Sequence, residues 1–300
     1  MTTFVQLHLL TSYPPACLNR DDLNRPKTAV MGGVPRLRAS SQSLKRAWRT
    51  SDPFEEAVKN HMGTRTKLMG VQIYNRLTKA GIKVKDAKEW AQAIAERFGA
   101  LKGKKEDKPL NDLEIEQLAH FSPEEESVIN SLADMLASEK RKPTDDELNL
   151  LRKNHTAVDI ALFGRMLAGS PGYNTEAACQ VAHAITVHRA AVEDDYFTAV
   201  DDLNTREEDA GSAHIGEQGF GAGLFYLYIC IDRDLLKENL GGDAALAEKA
   251  IKALIEAAAT VAPTGKQNSF ASRASAFYVL AEKGSRQPRA LSLAFMKPVR

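Results

Sequence analysis

Apolar positions along the chain follow two rhythms: short runs of β-branched and aromatic residues, and longer stretches spaced three and four apart. Phe4–Leu10 (FVQLHLL) reads as a strand ended by Pro14-Pro15. Positions 19–39 mix Pro, Gly and Arg without a period and read as an ordered loop. Ser40 and Ser41 are good N-caps, so a helix is expected from there to Arg49. From about 52 to 157 the chain is Lys/Glu-rich with helical spacing, plainest at Ala87–Arg97 and Pro123–Lys140, around a solvated connector at Lys102–Lys108. Val158–Met166 and Val181–His188 read as strands of small and β-branched residues. Gly219–Ile231 (GFGAGLFYLYICI) is the strongest strand pattern, followed by a helix over Ala244–Val261 and strands at Ser275–Ala281 and Ala290–Lys297. This order predicts an α+β fold with helices packed on an antiparallel sheet, and an RRM/ferredoxin-like core fits it among others.

Composition changes the picture little, because 300 residues with 43% hydrophobic content and a net charge of +1 describe an ordinary core-forming chain. Local charge is more telling. Asn19–Arg49 carries eight Lys/Arg against Asp21 and Asp22, and Thr264–Arg300 seven against Glu282. Glu193–Asp209 holds eight acids against Arg206. Two basic segments and an acidic one predict a molecule with distinct faces, one of them suited to an anionic ligand. Cys17, Cys179 and Cys230 are scattered without a CxxC pair, so a reduced compartment is expected. No signal-peptide pattern or membrane span is read, and the expected location is the cytoplasm.

The helix Ser41–Arg49 (SQSLKRAWR) is the most informative segment. At about 100° per residue, Gln42, Lys45, Arg46 and Arg49 share one side, while Leu44, Ala47 and Trp48 share the other. With Arg36 and Arg38 alternating along the approach, this reads as a phosphate-binding track, the bland alternative being a solvated basic face. Gly32-Gly33 lacks P-loop spacing, and Gly219, Gly221 and Gly223 alternate within a strand rather than opening a helix. They read as a strand face that lets other backbone come close. The acids Glu193, Asp194, Asp195, Asp201 and Asp202 have no histidine at ligand spacing, and His183 and His188 point to opposite strand faces, so no metal site is expected. Tyr196 and Phe197 could stack on bases or anchor their own loop in the core.

Taken together, several ordered motifs resemble CasC-type backbone subunits of type I-E CRISPR Cascade. They are Cys17-Leu-Asn-Arg-Asp-Asp22 with Arg20, Lys27, Gly32-Gly33, and Arg36-x-Arg38-x-Ser-Ser-Gln-Ser-Leu-Lys-Arg46. Val158-Asp-Ile-Ala-Leu-x-Gly-Arg-Met166, Ala182–Thr186, Phe197–Leu203, Gly211–His214, Glu238–Gly242 and Gly265-Lys-Gln267 continue in the same order. Positions 52–157 carry little of the resemblance.

The resemblance implies a hand-shaped subunit: an RRM-like palm over 1–51 and 158–300, a thumb loop over about 189–218, and a helical finger insertion over 52–157. It implies copies stacked head to tail along CRISPR guide RNA, pairing it with a target DNA strand. Their companions would be the large, small, guide-end capping and guide-processing Cascade subunits, with no membrane and no cofactor. Ser40, Gln42, Lys45, Arg46 and Arg49 would grip the guide backbone together with Arg20, Lys27, Arg36 and Arg38, and Gly265, Lys266 and Gln267 would make a further contact. Tyr196, Phe197 and Thr198 would form the thumb tip that kinks the RNA, assisted by Met166. Tyr196 stands where relatives carry tryptophan. Family chains usually run beyond the equivalent of Arg300. Related backbone subunits of other CRISPR types cut RNA with an aspartate. Here no catalytic residue is expected, and Asp21, Asp22 or the acidic thumb would be the first candidates for a metal-dependent ribonuclease. A nucleic-acid-binding module that works without polymerising is the other alternative.

Overall fold

The computed structural model describes residues 2–199 and 214–299. Its contacts form two units, Met1–Phe54 with Gln180–Cys230 and Lys252–Arg300 in one, and Glu55–Cys179 with Ile231–Ile251 in the other. Positions 158–179 and 231–251, expected with the palm, thus group with 55–157.

Strand β1 (Phe4–Ala16) leads to β2 (Thr28–Met31), β3 (Val34–Ala39), α1 (Ser41–Arg49) and α2 (Asp52–Ala57). Then come β4 (Thr64–Thr66), α3 (Met69–Lys79), α4 (Val84–Ala95), β5 (Ala119–Phe121), α5 (Pro123–Glu139) and α6 (Val158–Phe163). The chain closes with β6 (Cys179–Val181), β7 (Ala184–Thr186), β8 (Glu193–Ala199), β9 (His214–Asp232), α7 (Arg233–Asn239), α8 (Ala244–Thr260), α9 (Gln267–Phe270) and β10 (Tyr278–Gly284).

The first unit is a sheet in the order β10-β1-β9-β7-β3-β2, with β6 and β8 also on β9, and the pairings β1–β10, β2–β3, β3–β7, β7–β9 and β8–β9 are antiparallel. The fold is α+β, as expected. Leu44 and Trp48 of α1 are buried, and Leu44, Ala258 of α8, Phe225 and Leu227 line one small gap, so both helices cover the same sheet face. On the opposite face His8 Nδ1 and Tyr226 Oη lie 2.8 Å apart, and Tyr228 donates to Gln6 at 2.7 Å. Residues 289–299 cross this face: Leu291 N–H donates to Tyr226 Oη, and Phe295 packs on the Tyr226 ring at 5.2 Å.

Several local expectations are corrected. Pro14 and Pro15 do not end β1, which runs on to Ala16 with both prolines exposed and beyond the stretch paired with β10, which stops at Leu10. The expected loop at 19–39 contains the β2–β3 hairpin. Its two-residue turn is Gly32-Gly33 with φ of 62° and 77°, the left-handed pair that matches strand twist. Val158–Phe163 is helix rather than strand. Val158, Ile160, Ala161 and Leu162 are all buried, so the segment has no apolar period to betray its conformation. Ser292–Phe295 is a 3-10 turn within the crossing segment, not part of a strand.

The second unit packs α3, α4 and α5 around Ile73, Leu77, Trp90, Ile94, Phe121, Ile129 and Leu136. Helix α5 starts with Ser122 as cap, Pro123 at the first position and Glu125 returning to the Ser122 N–H, a complete capping box. Glu125 is fully buried and also accepts from Arg165 Nη1 at 2.6 Å and the Arg152 N–H at 2.9 Å.

Candidate nucleic-acid interface

Helix α1 presents three faces to its surroundings. Leu44 and Trp48 enter the core. Gln42, Lys45 and Arg49, at spacings of three and seven, share a second face, with Gln42 exposed and the two cations part-exposed. Ser43, Arg46, Ala47 and Thr50 line a cleft on the third. Arg46, expected among the other cations, is turned to the cleft side.

The cleft has a volume of about 640 Å³. One wall is the Leu18–Asn24 turn, where the Asp21 carboxylate accepts from the N–H groups of Leu23 (3.0 Å) and Arg25 (2.9 Å), and Arg20 donates to Asn24 at 3.3 Å. Opposite stands the Thr260–Arg273 segment. A Cβ on Gly265 would lie 2.3 Å from the Leu18 carbonyl oxygen and 2.5 Å from that of Cys17, so only glycine lets the two walls meet. Lys266 follows at φ 51°. In the orientation that satisfies both ends of its amide, Gln267 accepts from the N–H groups of Ser272 (2.8 Å) and Arg273 (3.3 Å) and so shapes the wall. Burial raises the Cys17 thiol pKa, and the nearby Arg20 and Lys266 charges oppose that rise. Of the expected contacts, the structure therefore gathers Arg20, Arg46, Gly265 and Gln267 around one cleft, with Lys266 beside it. Arg273, Asn19, Asn24 and Asp52 also line it, and sequence reasoning singled out none of them.

A second group surrounds the start of α1. Ser40 is buried, its hydroxyl accepting from Ser43 N–H at 3.3 Å while its own N–H donates to Asn19. It acts as the helix cap, and its hydroxyl is already engaged. His183 Nδ1 accepts from Ser41 N–H at 3.0 Å and lies 3.4 Å from Arg38 Nη1. Burial, then Arg38 and Lys27, lower the His183 pKa, which ties Lys27 to the same group. His183 read in the sequence as an ordinary histidine, and nothing local marks it otherwise.

Arg36 is the clear correction. It is fully buried, donating to the backbone carbonyls of Met31 (3.2 Å), Thr186 (3.0 Å) and Phe295 (2.8 Å), and cannot belong to a surface track with Arg38. Burial lowers its pKa.

The thumb region is a strand rather than a loop over 193–199: β8 pairs with β9 from Glu193↔Phe220 to Ala199↔His214. Tyr196 is 64% exposed and Phe197 42%. Both reach solvent, so neither anchors the segment in the core. The Phe197 ring covers Gly216, its register partner, and Thr198 is exposed. The rest of the expected thumb from 200 to 213, with Asp201, Asp202 and Gly211, lies outside the described residues. Met166, in the second unit, is 73% exposed beside buried Arg165, which donates to Glu125 and to the carbonyls of His120, Arg152 and Tyr173. Among the described residues no three His, Cys, Asp or Glu side chains gather as a metal site would require, and no helix is long and apolar enough to cross a membrane.

Residues 5–300 match the model of a protein family described as CT1975-like protein. This chain belongs to the CT1975-like protein family. It is also similar to a chain of a solved CRISPR RNA-guided surveillance complex in a pre-nicking state, at 31% identity and a TM-score of 0.84 over 99% of this chain and 83% of that one. A chain of another CRISPR RNA-guided surveillance complex matches at 28% identity and a TM-score of 0.58, over 99% of this chain and 75% of that one. No curated protein matches this CT1975-like chain.

Proposed function

We propose that this chain is the repeated backbone subunit of a type I-E Cascade complex. In this reading it binds CRISPR guide RNA, polymerises along it head to tail and holds it for pairing with a target DNA strand. The observation that carries this is the similarity, over 99% of this chain, to a chain of a CRISPR RNA-guided surveillance complex. The cleft supports it, since Arg20, Arg46, Gly265 and Gln267, drawn from both ends of the chain, converge there. Cations that hold a backbone while pairing reads the sequence are the chemistry such a complex requires. The companions would be the large, small, guide-end capping and guide-processing subunits, in the cytoplasm.

The subunit has no catalytic role in this reading. One Asp21 carboxylate oxygen is occupied by the two N–H groups of its own turn, as in a structural Asx turn. Expressed with a CRISPR array, the protein should retain RNA of uniform, guide-like length, and that RNA should stay intact in magnesium or manganese. Recovery of no RNA, or of random fragments, would overturn the reading. Cleavage abolished by Asp21→Ala or Asp22→Ala would favour the ribonuclease.

A further inference from the structure

The cleft contains charges of both signs. Arg46 and Arg273 line it, yet neither guanidinium has a hydrogen-bond or ion-pair partner among the described residues. Asp52 lines it as well, is exposed, and its carboxylate likewise has no hydrogen-bond or ion-pair partner among the described residues. Guanidiniums left open on a cleft wall fit phosphate oxygens. A carboxylate in the same cleft would repel a phosphodiester chain unless the ligand brings it a hydrogen to accept. A ribose-phosphate backbone carries one such donor on its sugar, the 2′-hydroxyl, and deoxyribose lacks it.

We propose that the cleft takes a ribose-phosphate unit of single-stranded RNA, with the phosphate on Arg46 and Arg273 and the 2′-hydroxyl donating to the Asp52 carboxylate, so that it selects RNA over DNA. This rests on the RNA-binding reading above and adds two residues, Arg273 as a phosphate contact and Asp52 as the group that reads the sugar. Asn19, Asn24 and Thr50 leave the same cleft polar enough to hydrate the remaining sugar edge.

The experiment compares the full chain with its D52A and R273Q forms on one short single-stranded sequence made as RNA, as DNA and as 2′-O-methyl RNA. The unmodified chain should bind RNA about tenfold more tightly than either analogue, the worth of one hydrogen bond to a charged acceptor. D52A should bring the three together by weakening RNA alone. R273Q should weaken all three and lower the slope of log affinity against log salt by roughly 0.7. A solvated, unused carboxylate predicts the opposite for D52A: with one negative charge fewer, RNA and DNA affinity should rise together. That result overturns the proposal, and so does an equal loss on all three ligands, which would place the Asp52 contact on a base. Melting of each variant separates a lost contact from a lost fold, and R273Q reports on the cleft whatever D52A does to α2. Failure of the unmodified chain to bind any of the three would sink the RNA-binding reading itself.

Discussion

At the scale of single residues, Arg36 and Arg38 show what a sequence pattern can and cannot say. Both are cations on one strand, two apart, and the pattern treats them alike. What separates them is the segment near Phe295, whose carbonyl closes over Arg36 from the far end of the chain. Truncation of Arg36 would leave three carbonyls without their donor and a side-chain-sized hole. R36A should therefore lose roughly 3 kcal/mol of stability or more by denaturant unfolding, while R38A should lose little. Equal, small losses would contradict this assignment. His183 makes a second prediction. Its folded pKa lies below the ordinary 6.5, so from there downward the unfolded chain binds more protons than the folded one. Its contribution is complete above 6.5 and is lost as pH falls through the lowered value, when Nδ1 can no longer accept from Ser41. His183→Gln keeps an acceptor without titrating and should flatten part of the decline in Tm between about pH 7 and pH 5. His155, also lowered chiefly by burial, supplies another part. An unchanged decline would show that the imidazole is not coupled to folding.

At the scale of elements, α1 is legible because cap, basic face and apolar face all lie within the ten residues from Ser40 to Arg49. The division of its polar side into a cleft face and an outer face was not, since the cleft's other walls come from 18–24 and 260–273. Neutralising Lys45, Arg46 and Arg49 together should spare the melting temperature, because Leu44 and Trp48 carry the packing. Each lost phosphate contact should lower the salt slope on single-stranded RNA by roughly 0.7, and an unchanged slope would make the face merely solvated. The thumb strand is hidden in the sequence because Glu193, Asp194 and Asp195 have low strand propensity, and their pairing with β9 decides the matter. With Tyr196 exposed and Phe197 resting on Gly216, replacing both by Ala should cost about 1 kcal/mol or less of stability. A loss of roughly 3–5 kcal/mol, typical of core aromatics, would show that the pair supports the fold.

At the scale of the whole molecule, the α+β class and the order of most elements could be read from the chain, because strong periodic segments announce themselves. The short α6, with five of its six residues buried, and the β2–β3 hairpin could not, one for want of a period and the other because β2 is only four residues long and Pro35 interrupts β3. The candidate site was legible residue by residue in Arg20, Arg46 and Gln267, but its unity is a product of folding. The central claim is that many copies of this chain assemble along one guide RNA, a heterologous contact repeated in one direction. Native mass measurement of the protein on guide RNAs of increasing length tests it most directly. The account predicts complexes that grow in whole steps of one 32.9 kDa chain as the RNA lengthens. A complex that stays at one chain per RNA, whatever the length, would contradict it and leave a stand-alone binding module.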